Sequence, residues 1–208
     1  MESASLGLYV VASLALIVTP GQDMLYVISR SLAQGRFAGA CSAVGVCLGI
    51  LVHTALAALG VGAILMASET LFVALKLIGA AYLVYLGIQL ILGRGGARSI
   101  GDAPAILSPW ALVRQGVLSN VTNPKIVLFF FAFLPQFVNP ASAHPTRDLA
   151  FLGVLYAVLA LPIKIGVGLA AGSLSERVLQ RPSAIAWLNR LGGSVVIALG
   201  LRLAATER

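Results

Sequence analysis

Asp23, Lys125 and Lys164 are ionisable residues set inside long apolar runs, and each lies within three residues of a proline. A charged side chain in the middle of a bilayer costs roughly 2.5–3.5 kcal/mol on insertion scales, so such residues persist where a partner or a function holds them. Asp23 reads as a protonatable group or a ligand for an amine, or as the cap of a half-helix that starts after Pro20. Lys125 reads as a partner for Asp23 or a ligand for a carboxylate. Lys164, two residues after Pro162, is a third polar point on the same path, or a structural partner for a carbonyl or for Asp23. His53, midway along an uncharged apolar run, is a candidate proton relay or a hydrogen-bonded packing residue.

The sequence around the first two charges explains why they stand out. Val18-Thr19-Pro20-Gly21-Gln22-Asp23 puts a helix breaker, a glycine and a carboxylate inside the run from about Leu6 to Ile28. Val121-Thr122-Asn123-Pro124-Lys125 does the same inside the run 116–137. At an offset of 104 residues, Val18-Thr19-Pro20 falls on Thr122-Asn123-Pro124. Proline removes one backbone N–H and clashes with the carbonyl four residues earlier. Freed carbonyls in hydrocarbon need protein, water or a ligand. A half-helix N-terminus at mid-depth offers N–H groups and partial positive charge, suited to a carboxylate. Two broken apolar helices at matching places in two halves point to a transport site. The expected site is Thr19, Pro20, Gly21, Gln22 and Asp23 with Asn123, Pro124 and Lys125, joined by Lys164 and His53.

The elements that position these residues follow from composition. The chain has 208 residues, 59% hydrophobic and 10% charged, with net charge +7 and a mean hydropathy of +0.98. A soluble domain carries about 25% charge, so the solvent here must be lipid. A span needs about 20 apolar residues. Six are expected: about Leu6–Ile28, Ala38–Met66, Leu71–Leu92 (with Lys76 in its second turn), Leu112–Phe137, Leu149–Ala171 and Ser183–Ala204. Arg30, Arg36, Arg94, Arg98, Arg114, Arg177 and Arg181 fall in or beside loops one, three and five. The positive-inside rule puts these loops in the cytoplasm and both termini outside. Five spans is the alternative, with the C-terminus inside.

The chain is therefore expected to be an all-α integral membrane protein, with one transmembrane domain over 1–208. Its first repeat is about 1–93, a cytoplasmic linker about 94–111, and its second repeat about 112–208. The closing spans align at an offset of 113, where Gly79, Leu86 and Gly87 fall on Gly192, Leu199 and Gly200. Three spans per half reverse the second half in the membrane, giving an inverted repeat. Glycine pairs such as Gly35 and Gly39, or Gly45 and Gly49, allow close helix packing and permit a homodimer.

Other classes find little support. No basic patch interleaved with aromatics suggests nucleic acid. Two histidines and two cysteines at these spacings form no zinc site, and Cys41 and Cys47 are poorly placed for a disulfide. No nucleophile–base pair suggests an enzyme, so no catalytic residue is assigned. The first run reads as a retained span, with no basic residue before it and a length beyond a signal core. Asn120-Val121-Thr122 matches a glycosylation sequon, which its membrane depth makes spurious.

Several stretches together resemble the lysine-exporter (LysE/RhtB) translocator family: Thr19-Pro20-Gly21-Gln22-Asp23-Met24-Leu25, Gly35-Arg36-Phe37-Ala38-Gly39, residues 77–87, and Asn123-Pro124-Lys125 through Phe133-Leu134-Pro135-Gln136-Phe137. Gln22 stands where the family often has the second proline of a Pro-Gly-Pro motif. The resemblance implies a secondary-active amino-acid exporter in a bacterial-type inner membrane. Its partners would be the amino-acid substrate and the lipid bilayer. It would need no cofactor beyond an ion gradient, with the proton as the expected ion. The competing expectation is a non-transporting membrane scaffold or assembly factor, which would need neither break nor buried charge.

Overall fold

The computed structural model describes residues 3–61, 69–92, 106–139, 142–172 and 182–205. Among the described residues every regular element is helical. In chain order these are α1 (Ser3–Val18), α2 (Gln22–Gln34), α3 (Arg36–Leu56), α4 (Glu69–Ile91), α5 (Pro109–Val121), α6 (Pro124–Leu128), α7 (Pro145–Ala171) and α8 (Pro182–Ala205). A π-helical turn, Ala57–Val61, continues α3; a π-helical turn, Phe129–Phe133, and a 3₁₀ turn, Leu134–Phe137, continue α6. Where both are described, the expected span limits fall within a few residues of these helix ends, except that α2 runs on to Gln34, six residues past Ile28. Of the expected linker, residues 109–111 already open α5, with Ser108 as its cap and Pro109 in its first turn; residues 94–105 of the linker and the arginines at 94, 98, 177 and 181 lie outside the described residues.

Two expected spans are broken where proline predicted it. α1 and α2 are bent by 47° at Thr19-Pro20-Gly21, and α5 and the α6 segment by 54° at Thr122-Asn123. Pro162 breaks nothing: α7 runs through it from Pro145 to Ala171. Pro20 is followed by glycine and Pro124 is preceded by asparagine, both stop or cap residues, whereas Leu161 and Ile163 around Pro162 continue a helix. The π and 3₁₀ turns after α6 were not anticipated. Pro135 denies Phe131 its i+4 donor, and local π and 3₁₀ adjustments are how a membrane helix re-satisfies such groups. α2 passes into α3 through Gly35 alone, at φ +86°, a left-handed conformation that favours glycine.

Two helices, Arg36–Gly60 and Pro145–Ala171, are each long and apolar enough to cross a membrane, and each bent pair is sufficient if taken as one span. The distribution of side chains is that of a protein in lipid. Val11, Phe37, Leu59, Ile78, Val158 and Leu201 are exposed, while Asp23, His53, Lys76, Asn120, Lys125 and Lys164 are buried. The interior joins Tyr9, Leu16, Phe129, Phe130, Phe133, Phe137 and Tyr156 in one cluster. Tyr9 donates its hydroxyl to the Leu152 carbonyl at 2.6 Å, which satisfies its only polar atom.

Glycines set the helix contacts. A methyl group on Gly45 would lie 2.2 Å from the Val113 carbonyl oxygen, and one on Gly49 would meet Asn120, so α3 and α5 run side by side in the same direction. Gly39 faces Gly168 while Gly153 faces Thr54, so α3 and α7 are antiparallel. α4 and α8 are antiparallel too, through Gly87 with Gly193 and Gly200 with Ala80. Ser31 donates its hydroxyl to the Gly168 carbonyl and ties α2 into this packing.

Candidate functional site

At the first break, Pro20 lacks the N–H that Leu16 O would accept in a continuous helix. The Lys125 ammonium takes that place. Its Nζ donates to Leu16 O and to Thr19 O, each at 3.1 Å. A cation at a helix C-terminus also meets the negative end of the helix dipole. Lys125 thus caps α1 from across the molecule, and Gly21 makes room for it. A methyl group on Gly21 would sit 3.1 Å from Lys125 Nζ. Thr19 turns its hydroxyl back onto Ala15 O at 2.6 Å.

At the second break, Pro124 withholds its N–H from Asn120 O. The chain closes this gap itself, with Asn123 N–H donating to Asn120 O at 2.9 Å. His53 Nε2 adds a second bond to the same carbonyl at 3.2 Å. Asn123 then caps α6, its Oδ1 accepting from Lys125 N–H at 3.1 Å. The first break has no such device: Gly21 precedes α2 in extended backbone, and no side chain caps that end.

Asp23 lies in the first turn of α2, 1% exposed. Its Oδ2 accepts from Asn120 Nδ2 at 2.7 Å, while its Oδ1 has no partner. The expectation that Asp23 caps α2 is corrected: the position is too far into the helix and the carboxylate turns to α5. Direct hydrogen bonding to Lys125 is corrected too, because two carbonyls hold that ammonium. Lys125 and Lys164 nevertheless lie within electrostatic reach of Asp23, so one carboxylate and two ammonium groups share the interior. Lys164 is 4% exposed.

Gln22 is exposed and stands apart from these charges. Its Nε2 donates to Ser119 O at 3.0 Å and to Thr122 Oγ1 at 3.2 Å, which ties the two breaks together on their outer side. The structure therefore brings Thr19, Pro20, Gly21, Asp23, Asn123, Pro124 and Lys125 together, with His53 reaching the second break. The sequence reading missed Asn120, which it treated only as part of a spurious sequon. Its signal was an amide one turn before a proline, at the position an offset of 104 places against Leu16. Lys76 is buried on α4 outside this set. Cys41 and Cys47 are free thiols, and among the described residues no group of His, Cys, Asp and Glu could hold a metal.

Residues 14–207 match the model of the LysE type translocator family. The chain is 32% identical to an uncharacterized membrane protein of Vibrio cholerae over 199 residues, covering 96% of each chain. It is 29% identical to the homoserine/homoserine lactone efflux protein of Salmonella typhi over 199 residues, covering 96% of this chain and 95% of the relative. It is 27% identical to the leucine efflux protein of Salmonella typhimurium over 157 residues, 76% of this chain and 71% of the relative. No solved structure matches.

Proposed function

The chain belongs to the LysE type translocator family, and from that we propose that it exports amino acids or their derivatives across a cytoplasmic membrane as a secondary-active transporter. Relatives named for homoserine and leucine efflux support a small amino-acid substrate. The observation that carries the reading is the meeting of the two breaks around buried charge. A lysine beside one proline satisfies the carbonyl freed by the other. An inert bundle gains nothing from two breaks, the buried charges Asp23, Lys125 and Lys164 around them and the solvation cost they bring.

The reading includes six spans in two inverted repeats, with loops one, three and five cytoplasmic. Its support is that the contacts Gly87–Gly193 and Ala80–Gly200 exchange under the same offset of 113 that aligns the two closing spans. The two halves rocking about the breaks would give alternating access. Asp23 Oδ1 binds the substrate ammonium. Lys164, buried within electrostatic reach of Asp23, binds the substrate carboxylate together with the uncapped N-terminus of α2. Lys125 holds α1 in the broken state around which this site is built.

The test is efflux from cells and proteoliposomes over a panel of amino acids including L-homoserine and L-leucine. Asp23→Asn is expected to lower export at least about a hundredfold, the scale of removing a charge-assisted contact of about 3 kcal/mol, with the protein still in the membrane. Unchanged export by Asp23→Asn removes Asp23 from the site.

A further inference from the structure

His53, Asn120 and Asp23 form one hydrogen-bonded chain across three helices. His53 Nε2 meets Asn120 O, and Asn120 Nδ2 meets Asp23 Oδ2. Asn120 O is a carbonyl and can only accept, so Nε2 carries the hydrogen of the neutral ring. Nδ1 is then a bare lone pair. It has no partner, and neither has Asn120 Oδ1 nor Asp23 Oδ1. All three atoms are buried, in residues 2%, 0% and 1% exposed. The trio therefore holds three unpaired acceptors and no unpaired donor. A buried acceptor without a donor is costly, and native structures leave few of them unexplained.

What these atoms lack is hydrogen. Their negligible accessible surface excludes a ligand of any size from the resting state. We propose that the trio is a proton-binding site, with His53 Nδ1 taking the proton and the Asp23 carboxylate, held by Asn120, supplying the opposite charge. The proton comes from the aqueous phase, and no covalent bond other than N–H forms. Asn120 is the positioning residue, because its carbonyl fixes which ring nitrogen is bare and its amide fixes the carboxylate. The charged and titratable groups around the trio are Asp23 on α2, Lys125 on α6, Lys164 and Tyr156 on α7, and Cys47 on the same helix as His53. The role of this proton as the coupling ion rests on the exporter reading; the site itself does not.

The chain has two histidines, His53 and His144. Nitrogen-15 histidine NMR of the full chain in lipid bilayers thus yields two sets of signals, and His144→Gln assigns them. The expected result is a neutral His53 with hydrogen on Nε2, converting to imidazolium as the pH falls through the range of roughly 8 to 5 in which histidines change charge. Asn120→Ala is expected to move that midpoint by about one pH unit or more. Hydrogen on Nδ1 in the neutral ring, or no conversion in that window, overturns the proposal. In proteoliposomes loaded with L-homoserine or L-leucine, His53→Gln keeps an amide donor near Asn120 O but binds no proton. It is expected to lose at least about tenfold of pH-gradient-driven transport, with substrate exchange retained. Gradient-driven transport equal to wild type overturns the coupling role. A wild type that moves no amino acid while His53 titrates overturns the exporter reading and upholds the proton site.

Discussion

The two breaks present one backbone problem and two solutions. At the second, the chain closes the gap with its own Asn123 N–H, and the His53 ring adds to it. At the first, a buried ammonium from the other half supplies the hydrogen bonds to Leu16 O and Thr19 O. The second break is self-sufficient; the first depends on a remote cation. The difference shows how a repeated motif becomes asymmetric in charge. Position 125 carries lysine where its counterpart at an offset of 104 is Gly21, and the ammonium of one lies against the space left by the other. His53 only adds to a break that is already closed, whereas Lys125 is committed.

The largest effect should come from breaking the committed side. Lys125→Met removes two hydrogen bonds from a charged donor, each about 1.5–3 kcal/mol. A loss of about 3 kcal/mol or more is expected in chemical unfolding in detergent micelles. Pro20→Ala restores an N–H at position 20, so Lys125→Met should cost about 1 kcal/mol less in that background, a coupling of ordinary size for interacting residues. Additivity of the two changes would sink the idea that Lys125 stands in for the missing N–H.

Gly45→Ala tests the packing that brings α3 and its histidine to the second break. Its methyl group would meet the Val113 carbonyl, backbone that cannot yield, for about 1–3 kcal/mol in the same assay. Gly166→Ala, with open space around it, should cost nothing measurable or stabilise slightly. His53→Leu removes one of two bonds to Asn120 O and should cost only about 1 kcal/mol. A cost as large as that of Lys125→Met would erase the distinction between the breaks. Gln22→Ala, at an exposed tie, should change stability by less than about 0.5 kcal/mol.

Much of the fold was legible because apolar run length and proline are local signals. The run from Leu6 to Ile28 and the run 116–137 announced both broken helices, and Pro20 and Pro124 placed the bends. Pro162 carried the same letter without the same outcome, since its neighbours continue a helix. The turns from Phe129 to Phe137 were hidden because the aromatic residues read as a uniform apolar run. In the site, the charged residues identified themselves by being out of place in lipid, but their partners did not. Asn120 lies 97 residues from Asp23, and a neutral amide gives no comparable signal.

The sequence by itself determined the solvent of this protein, the two breaks and the buried charges, because each follows from composition or from the local geometry of proline. Only the tertiary structure decided who answers whom: Lys125 turns to carbonyls rather than to Asp23, Asn120 takes the carboxylate, and Gln22 lies outside on the surface. The physical reason is that a freed carbonyl and a buried charge both demand a partner, and the sequence states the demand. Which group meets it depends on distances set by helix packing at Gly45 and Gly49; the glycine spacing is a local pattern, but the Val113 and Asn120 that it meets are not.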